Sequence, residues 1–158
     1  MAEFPLEITY SQVAIFDPGL EQPFNNWTEE HFNQGFVWRM RSVSFRTPLR
    51  AGIAQVSLQT VDAPPEGQDF ELRPDTVIAI AVPFEVVDGS VEIASVFKGE
   101  LSEVENGKYD LIFETGMSRP KPWCRFTFIR RNATTARILK GREHLKPPEQ
   151  LIMTAEPA

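Results

Sequence analysis

The side chains that could do chemistry are few and scattered. Glu103 and Glu105 stand two residues apart, a spacing that places both carboxylates on one face of a strand and is compatible with paired acid and base work. On an exposed strand the same spacing serves solubility. Cys124 is the one cysteine, and His31 and His144 are the two histidines. None of them stands where a nucleophile would meet its base; Cys124 lies in an aromatic strand pattern and reads as a packed thiol, His31 as a solvated residue on the polar side of a short helix. Asp62, Glu66, Asp69 and Glu71 gather in one stretch but lack the regular oxygen-ligand spacing of a calcium loop. No zinc spacing, phosphate loop or dinucleotide fingerprint occurs. The expectation is a protein without catalytic residues, metal or cofactor.

Charge offers more. The net charge is −6 over 158 residues, and it is laid out in blocks. Residues 1–38 hold six acids and no Lys or Arg; residues 39–50 hold four arginines; residues 62–115 hold thirteen acids against three bases; residues 119–146 hold nine bases against one acid. Strands of opposite sign can pair and neutralise one another, and Arg39, Arg41, Arg46 and Arg50 are expected to bridge to acidic neighbours. If instead one surface stays acidic, it disfavours nucleic acid and anionic membrane and favours a basic protein partner.

The elements that must position these residues are mostly strands. A chain of this length can bury one core without a disulfide or metal staple. Leu6 to Phe16 alternates with one irregularity near Gln12 and reads as a bulged opening strand; Phe36 to Phe45 alternates with a similar break at Arg41-Ser42. Between them, Thr28 can cap a short helix with Glu29 and Glu30 in its first turn and Gly35 at its end, and Trp27 and Phe32 can staple its start. Residues 53–61 form a half-exposed strand. A loop over residues 62–74 has Phe70 and Leu72 as its anchors. Thr76 to Thr115 reads as a meander of three strands joined by tight turns at Asp88-Gly89 and Asn106-Gly107, with Pro83 demanding an edge or a bulge. Trp123 to Ile129 makes a last long strand, Ala136 to Leu139 an edge piece, and the Pro-rich tail 147–158 is expected to dock through Leu151, Ile152 and Met153. The whole chain 1–158 is one all-β antiparallel sandwich domain of about eight strands with one short helix.

Several of these pieces, in order, are similar to the competence protein J family. They are Ile8-Thr9-Tyr10-Ser11-Gln12, Trp27-Thr28-Glu29-Glu30 with Gly35-Phe36, Ser42-Val43-Ser44-Phe45, Val82-Pro83-Phe84-Glu85-Val86, and Gly89, Val91, Ile93 and Ser95 followed by Glu105, Gly107, Tyr109 and Leu111. The resemblance spans roughly residues 8–115. It implies a small protein that is not an enzyme and that inhibits the DNA-entry nuclease of competent bacteria by binding it. Residues placed for such contact are Trp27, Glu29 and Glu30 on the helix, Asp88 at one turn, and Glu103 and Glu105 near the other. Trp27 also reads as a lid on the sandwich edge. Acidic residues can steer an inhibitor into a basic groove while apolar anchors set the lifetime of the complex. A ligand-binding β-sandwich for a small molecule or carbohydrate, and an immunity protein against a toxin nuclease, are the alternatives. The N-terminus, Met1-Ala2-Glu3-Phe4-Pro5, has no basic patch followed by an apolar run, and with one cysteine the expectation is a cytoplasmic protein.

Overall fold

The computed structural model describes residues 2–117 and 121–158; Met1 of the N-terminal stretch lies outside them. Eleven strands and one helix follow in the order β1 (Ala2–Ile8), β2 (Gln12–Phe16), α1 (Glu29–Gln34), β3 (Phe36–Arg39), β4 (Ser42–Arg46), β5 (Gly52–Val61), β6 (Ile78–Val86), β7 (Ser90–Ala94), β8 (Gly99–Glu103), β9 (Gly107–Gly116), β10 (Trp123–Arg130) and β11 (Arg137–Lys140). They form two sheets, a six-stranded one ordered β1-β5-β10-β9-β6-β11 and a five-stranded one ordered β3-β4-β2-β7-β8. Every pairing is antiparallel except β5 with β10, which run parallel.

The expected sandwich is present, with more strands than the alternation suggested, because two of the irregularities are turns. At Tyr10 and Ser11 the backbone enters the left-handed region, φ 55° at both, and the chain turns from β1 in one sheet to β2 in the other. The change of parity near Gln12 follows: each strand must present its apolar side chains to the space between the sheets. The break at Arg41, φ 74°, closes the β3–β4 hairpin, with Phe36 opposite Phe45 and Arg39 opposite Ser42.

The meander is also corrected. β6 pairs with β9, not with β7, from Ile78 opposite Thr115 to Val86 opposite Gly107. The intervening β7 and β8 form a hairpin that belongs to the other sheet. Asp88-Gly89 and Asn106-Gly107 are therefore the two places where the chain crosses between sheets and back. They lie side by side: the Gly89 N–H donates to Asn106 Oδ1 at 2.6 Å and the Val104 N–H to Gly89 O at 3.1 Å. Gly89 has φ 70°, a conformation glycine adopts without a Cβ penalty.

The core fills the space between the layers. Phe45 of one sheet stacks on Phe113 of the other at 4.4 Å between ring centroids, and Phe126 meets both edgewise or tilted; such aromatic pairs add to the stabilisation that burial alone provides. Pro83 lies beyond the reach of β11, which pairs only with residues 79–81 of β6, so the missing donor faces an open edge as expected. There Trp38 Nε1 donates to Pro83 O at 2.8 Å.

The loop after β5 is held on the outer face of the larger sheet. Phe70 and Leu72 pack on Ala81, Ile112 and Ile129. Beside them the fully buried Glu114 carboxylate accepts from the Arg73 N–H at 2.8 Å, Thr76 Oγ1 at 3.0 Å and Arg125 Nε at 2.8 Å. Asp110, equally buried, pairs with Arg131 and Arg137. The acidic middle of the chain and its basic end thus neutralise each other on this face. Of the four clustered arginines, Arg41 alone joins an acid among the described residues, binding Asp17 and lying 3.9 Å from Asp88. Arg39 instead donates to Asn25 and the Phe24 carbonyl, and Arg46 stacks 3.8 Å over the Phe32 ring and donates to the Phe32 carbonyl.

Candidate functional site

Helix α1 forms as its residues dictate. Thr28 Oγ1 accepts from the His31 N–H at 3.2 Å, and His31 Nδ1 accepts from the Thr28 N–H at 3.2 Å. This is a capping box in which histidine takes the place usually held by Glu or Gln. Because Nδ1 accepts, Nε2 carries the proton and donates to Thr154 O of the tail at 2.9 Å. His31 is thus buried, not solvated: the tail covers it. Gly35 ends the helix at φ 94°, its N–H donating to His31 O. The tail docks as expected. Gln34 exchanges hydrogen bonds with both main-chain groups of Ile152 at 2.8 and 3.0 Å, the Asn26 N–H donates to Glu156 O, and Leu151 and Met153 pack on the core.

Glu29 and Glu30 project from the first turn into solvent. Trp27 is half-buried, its Nε1 donating to Gln12 Oε1 at 2.9 Å, and it shares a depression of about 180 Å³ with Tyr10 and the exposed Phe32. This combines the two readings of Trp27: it closes the sandwich edge and leaves part of its ring open.

Asp88, Glu103 and Glu105 lie elsewhere. β2 runs from Gln12, beside Trp27, to Phe16, which pairs with Glu92 of β7. Asp17 follows, and its carboxylate holds Arg41 next to Asp88. Burial pushes the Asp17 carboxyl up, but the Gly19 N–H, the Arg41 guanidinium and the Asp88 side chain together hold it below the usual carboxylate value. Glu103 pairs across from Ser90, and the exposed Glu105 reaches Arg130 at 3.6 Å. The six predicted contact residues thus form two groups at opposite ends of the smaller sheet, separated by the length of β2, roughly 13 Å at about 3.3 Å per residue. Glu103 and Glu105 do not share a strand face: Glu103 ends β8, whereas Glu105 lies past the end of that strand and faces Arg130.

Residues outside the predicted set complete the second group. β8 consists mostly of weak strand formers, Gly99, Glu100, Ser102 and Glu103, which leave no clear strand pattern. On its outer face Leu101 stands opposite Glu92 and Glu103 opposite Ser90. The isolated leucine between acids was the available signal. Elsewhere the chemistry is quiet. Burial pushes the Cys124 thiol up to about 12, and among the described residues no His, Cys, Asp and Glu group could hold a metal. The main depressions hold about 180 to 280 Å³ and are open to solvent, below the usual range of roughly 300 to 1,000 Å³ for ligand pockets. No helix among the described residues is long and apolar enough to cross a membrane.

Fold and site together define a two-sheet β-sandwich protein whose charged candidates stand on open strand faces and turns rather than in a cleft. The sequence pattern of the competence protein J (ComJ) family matches residues 5–129, and the chain belongs to that family. The match runs through β10, past residue 115 where the resemblance in the sequence fades, and leaves β11 and the tail outside it. The fold is similar to the crystal structure of ComJ from Bacillus subtilis, described as an inhibitor of the DNA degrading activity of NucA, with a TM-score of 0.69 and 20% identity over 83% of this chain and 96% of that one. No curated protein sequence matches significantly.

Proposed function

We propose that this protein is not an enzyme but an inhibitor that binds a DNA-degrading nuclease and blocks its access to DNA. Membership in the competence protein J family over residues 5–129 carries the reading, since the solved member from Bacillus subtilis is described as the inhibitor of the DNA degrading activity of NucA. The physical chemistry agrees. A nuclease must present a positive surface to the DNA backbone, and a partner of net charge −6 is drawn to it at rates that salt suppresses. The candidates for contact are the two groups described above, Trp27, Glu29 and Glu30 at one end and Asp88, Glu103 and Glu105 at the other, and charge reversal of each group decides which one the nuclease meets. The single, buried cysteine suits a reducing compartment, and the reading places the protein in the cytoplasm.

The test is plasmid cleavage by the purified NucA-type nuclease of the same organism, with this protein added in steps. Suppression near a stoichiometric ratio is the expected result. Unimpeded cleavage at a tenfold excess would reject inhibition.

A further inference from the structure

Resting on the inhibitor reading, we infer that the outer face and open edge of the β7–β8 hairpin seat the basic DNA-binding surface of the nuclease. The smaller sheet is covered unevenly. Over β3, β4 and β2 its outer face is roofed by residues 17–26: Asn25 Nδ2 donates to the main chain of Val37 and Ser42, and Phe24 packs on Ala14, Phe16 and Ala94. That cover stops short of β8. β8 ends the sheet, and on it Leu101 is 64% exposed, while Phe97 in the hairpin turn is 75% exposed. An exposed apolar face at a sheet edge is a feature that soluble proteins otherwise blunt.

Charge identifies the occupant. Residues 85–105 carry six acids and one lysine. Among the described residues neither Glu92 nor Glu103, which flank Leu101, takes part in an ion pair, unlike the buried Asp110 and Glu114 of the larger sheet, which arginines neutralise. An unpaired acidic strip around an apolar centre fits a basic rim with an apolar floor: the carboxylates steer the encounter and Leu101 is buried in the complex. At the helix end Arg46 stacks on Phe32, and Arg50 lines a depression with Tyr10 and with Phe97 of the hairpin turn, so it is the part of the hairpin around Glu92, Leu101 and Glu103 whose acids stay unpaired among the described residues.

The experiment compares two charge reversals of equal size, Glu92→Lys/Glu103→Lys on the hairpin and Glu29→Lys/Glu30→Lys on the helix, together with Leu101→Ser, against the same purified nuclease. Wild-type protein must first bind and inhibit; if it does not, the inhibitor reading itself falls. Given wild-type inhibition, the hairpin reversal weakens it by at least about 30-fold and slows association most at low salt, while the helix reversal changes it by less than about threefold. Leu101→Ser leaves association nearly unchanged and speeds dissociation by about tenfold or more. Equal losses from both reversals, a larger loss from the helix pair, or full inhibition by both hairpin variants overturns the assignment while leaving inhibition standing. A wild-type dimer that Leu101→Ser dissolves without changing inhibition would give the face to a second copy of this chain and overturn it as well.

Discussion

Replacing Arg125 by methionine isolates the buried ion pair that clamps the 62–75 loop to the larger sheet. Arg125 supplies both guanidinium contacts to Glu114 Oε1, at 2.8 and 2.7 Å; the other carboxylate oxygen is already occupied by the Arg73 N–H and the Thr76 hydroxyl. The variant therefore leaves Oε1 unpaired on a side chain with no solvent exposure. Breaking a buried pair from one side costs about 3 to 5 kcal/mol, and the 19% exposure of the Arg125 side chain points to the lower end, since water can enter. A loss of about 3 kcal/mol lowers the melting temperature of a chain this size by roughly 6 to 12 °C. The assay is urea and thermal unfolding of Arg125→Met beside Arg125→Met/Glu114→Gln. In the double variant the amide oxygen still accepts from Arg73 and Thr76 and no charge is stranded, so about 1 to 2 kcal/mol should return. A loss below about 1 kcal/mol in the single variant, or a double variant no more stable than the single, would show that Glu114 does not depend on Arg125 for its charge partner. Nuclease inhibition by either variant should match wild type below its unfolding transition, because the clamp lies on the sheet away from the hairpin.

Three further outcomes follow from the same geometry. Asn106→Ala removes the acceptor that ties the two sheet crossings together and should cost about 1 kcal/mol, read as a melting temperature lower by roughly 2 to 4 °C, whereas Asn106→Asp keeps the acceptor and should cost less; equal losses would remove the hydrogen bond from the account. Because the Asp17 carboxyl is held below its ordinary value of 3.8 in the folded chain, its contribution is fully present above about that pH and is lost as pH falls through the lower folded value. The melting temperature of wild type should therefore drop more steeply below about pH 4 than that of Asp17→Asn, and parallel acid limbs would contradict the assignment. The Cys124 thiol, 2% exposed and pushed up to about 12, should resist an aromatic disulfide reagent at pH 8 until the protein unfolds; rapid labelling of the native protein would show the core to be more open than described.

Much of the architecture was readable because strand periodicity and turn chemistry are local. Thr28 and Gly35 bound the helix as their types required, Phe70 and Leu72 anchor their loop, and the Leu151 to Met153 triplet docks. What was not readable depends on partners remote in sequence. Asp88-Gly89 and Asn106-Gly107 have the composition of hairpin turns, and nothing local distinguishes a hairpin from a crossing between sheets; that depends on whether β6 finds β7 or β9. The Tyr10-Ser11 and Met40-Arg41 turns contain no glycine, so each looked like a bulge. His31 looked solvated because its cover comes from Thr154, far along the chain. The candidate site divided for the same reason: acidic residues and a tryptophan can be picked by type, but the positions of Glu92 and Leu101 beside Glu103 follow from the β7–β8 register.

The most direct test of the central claim is a calorimetric titration of this protein into the purified NucA-type nuclease of the same organism, with and without a saturating short DNA duplex, at low and moderate salt. The expected result is a stoichiometric complex that weakens as salt rises and that the duplex displaces, because inhibitor and DNA compete for one basic surface. A complex that forms equally well on DNA-loaded nuclease, or no complex at either salt concentration, would contradict it.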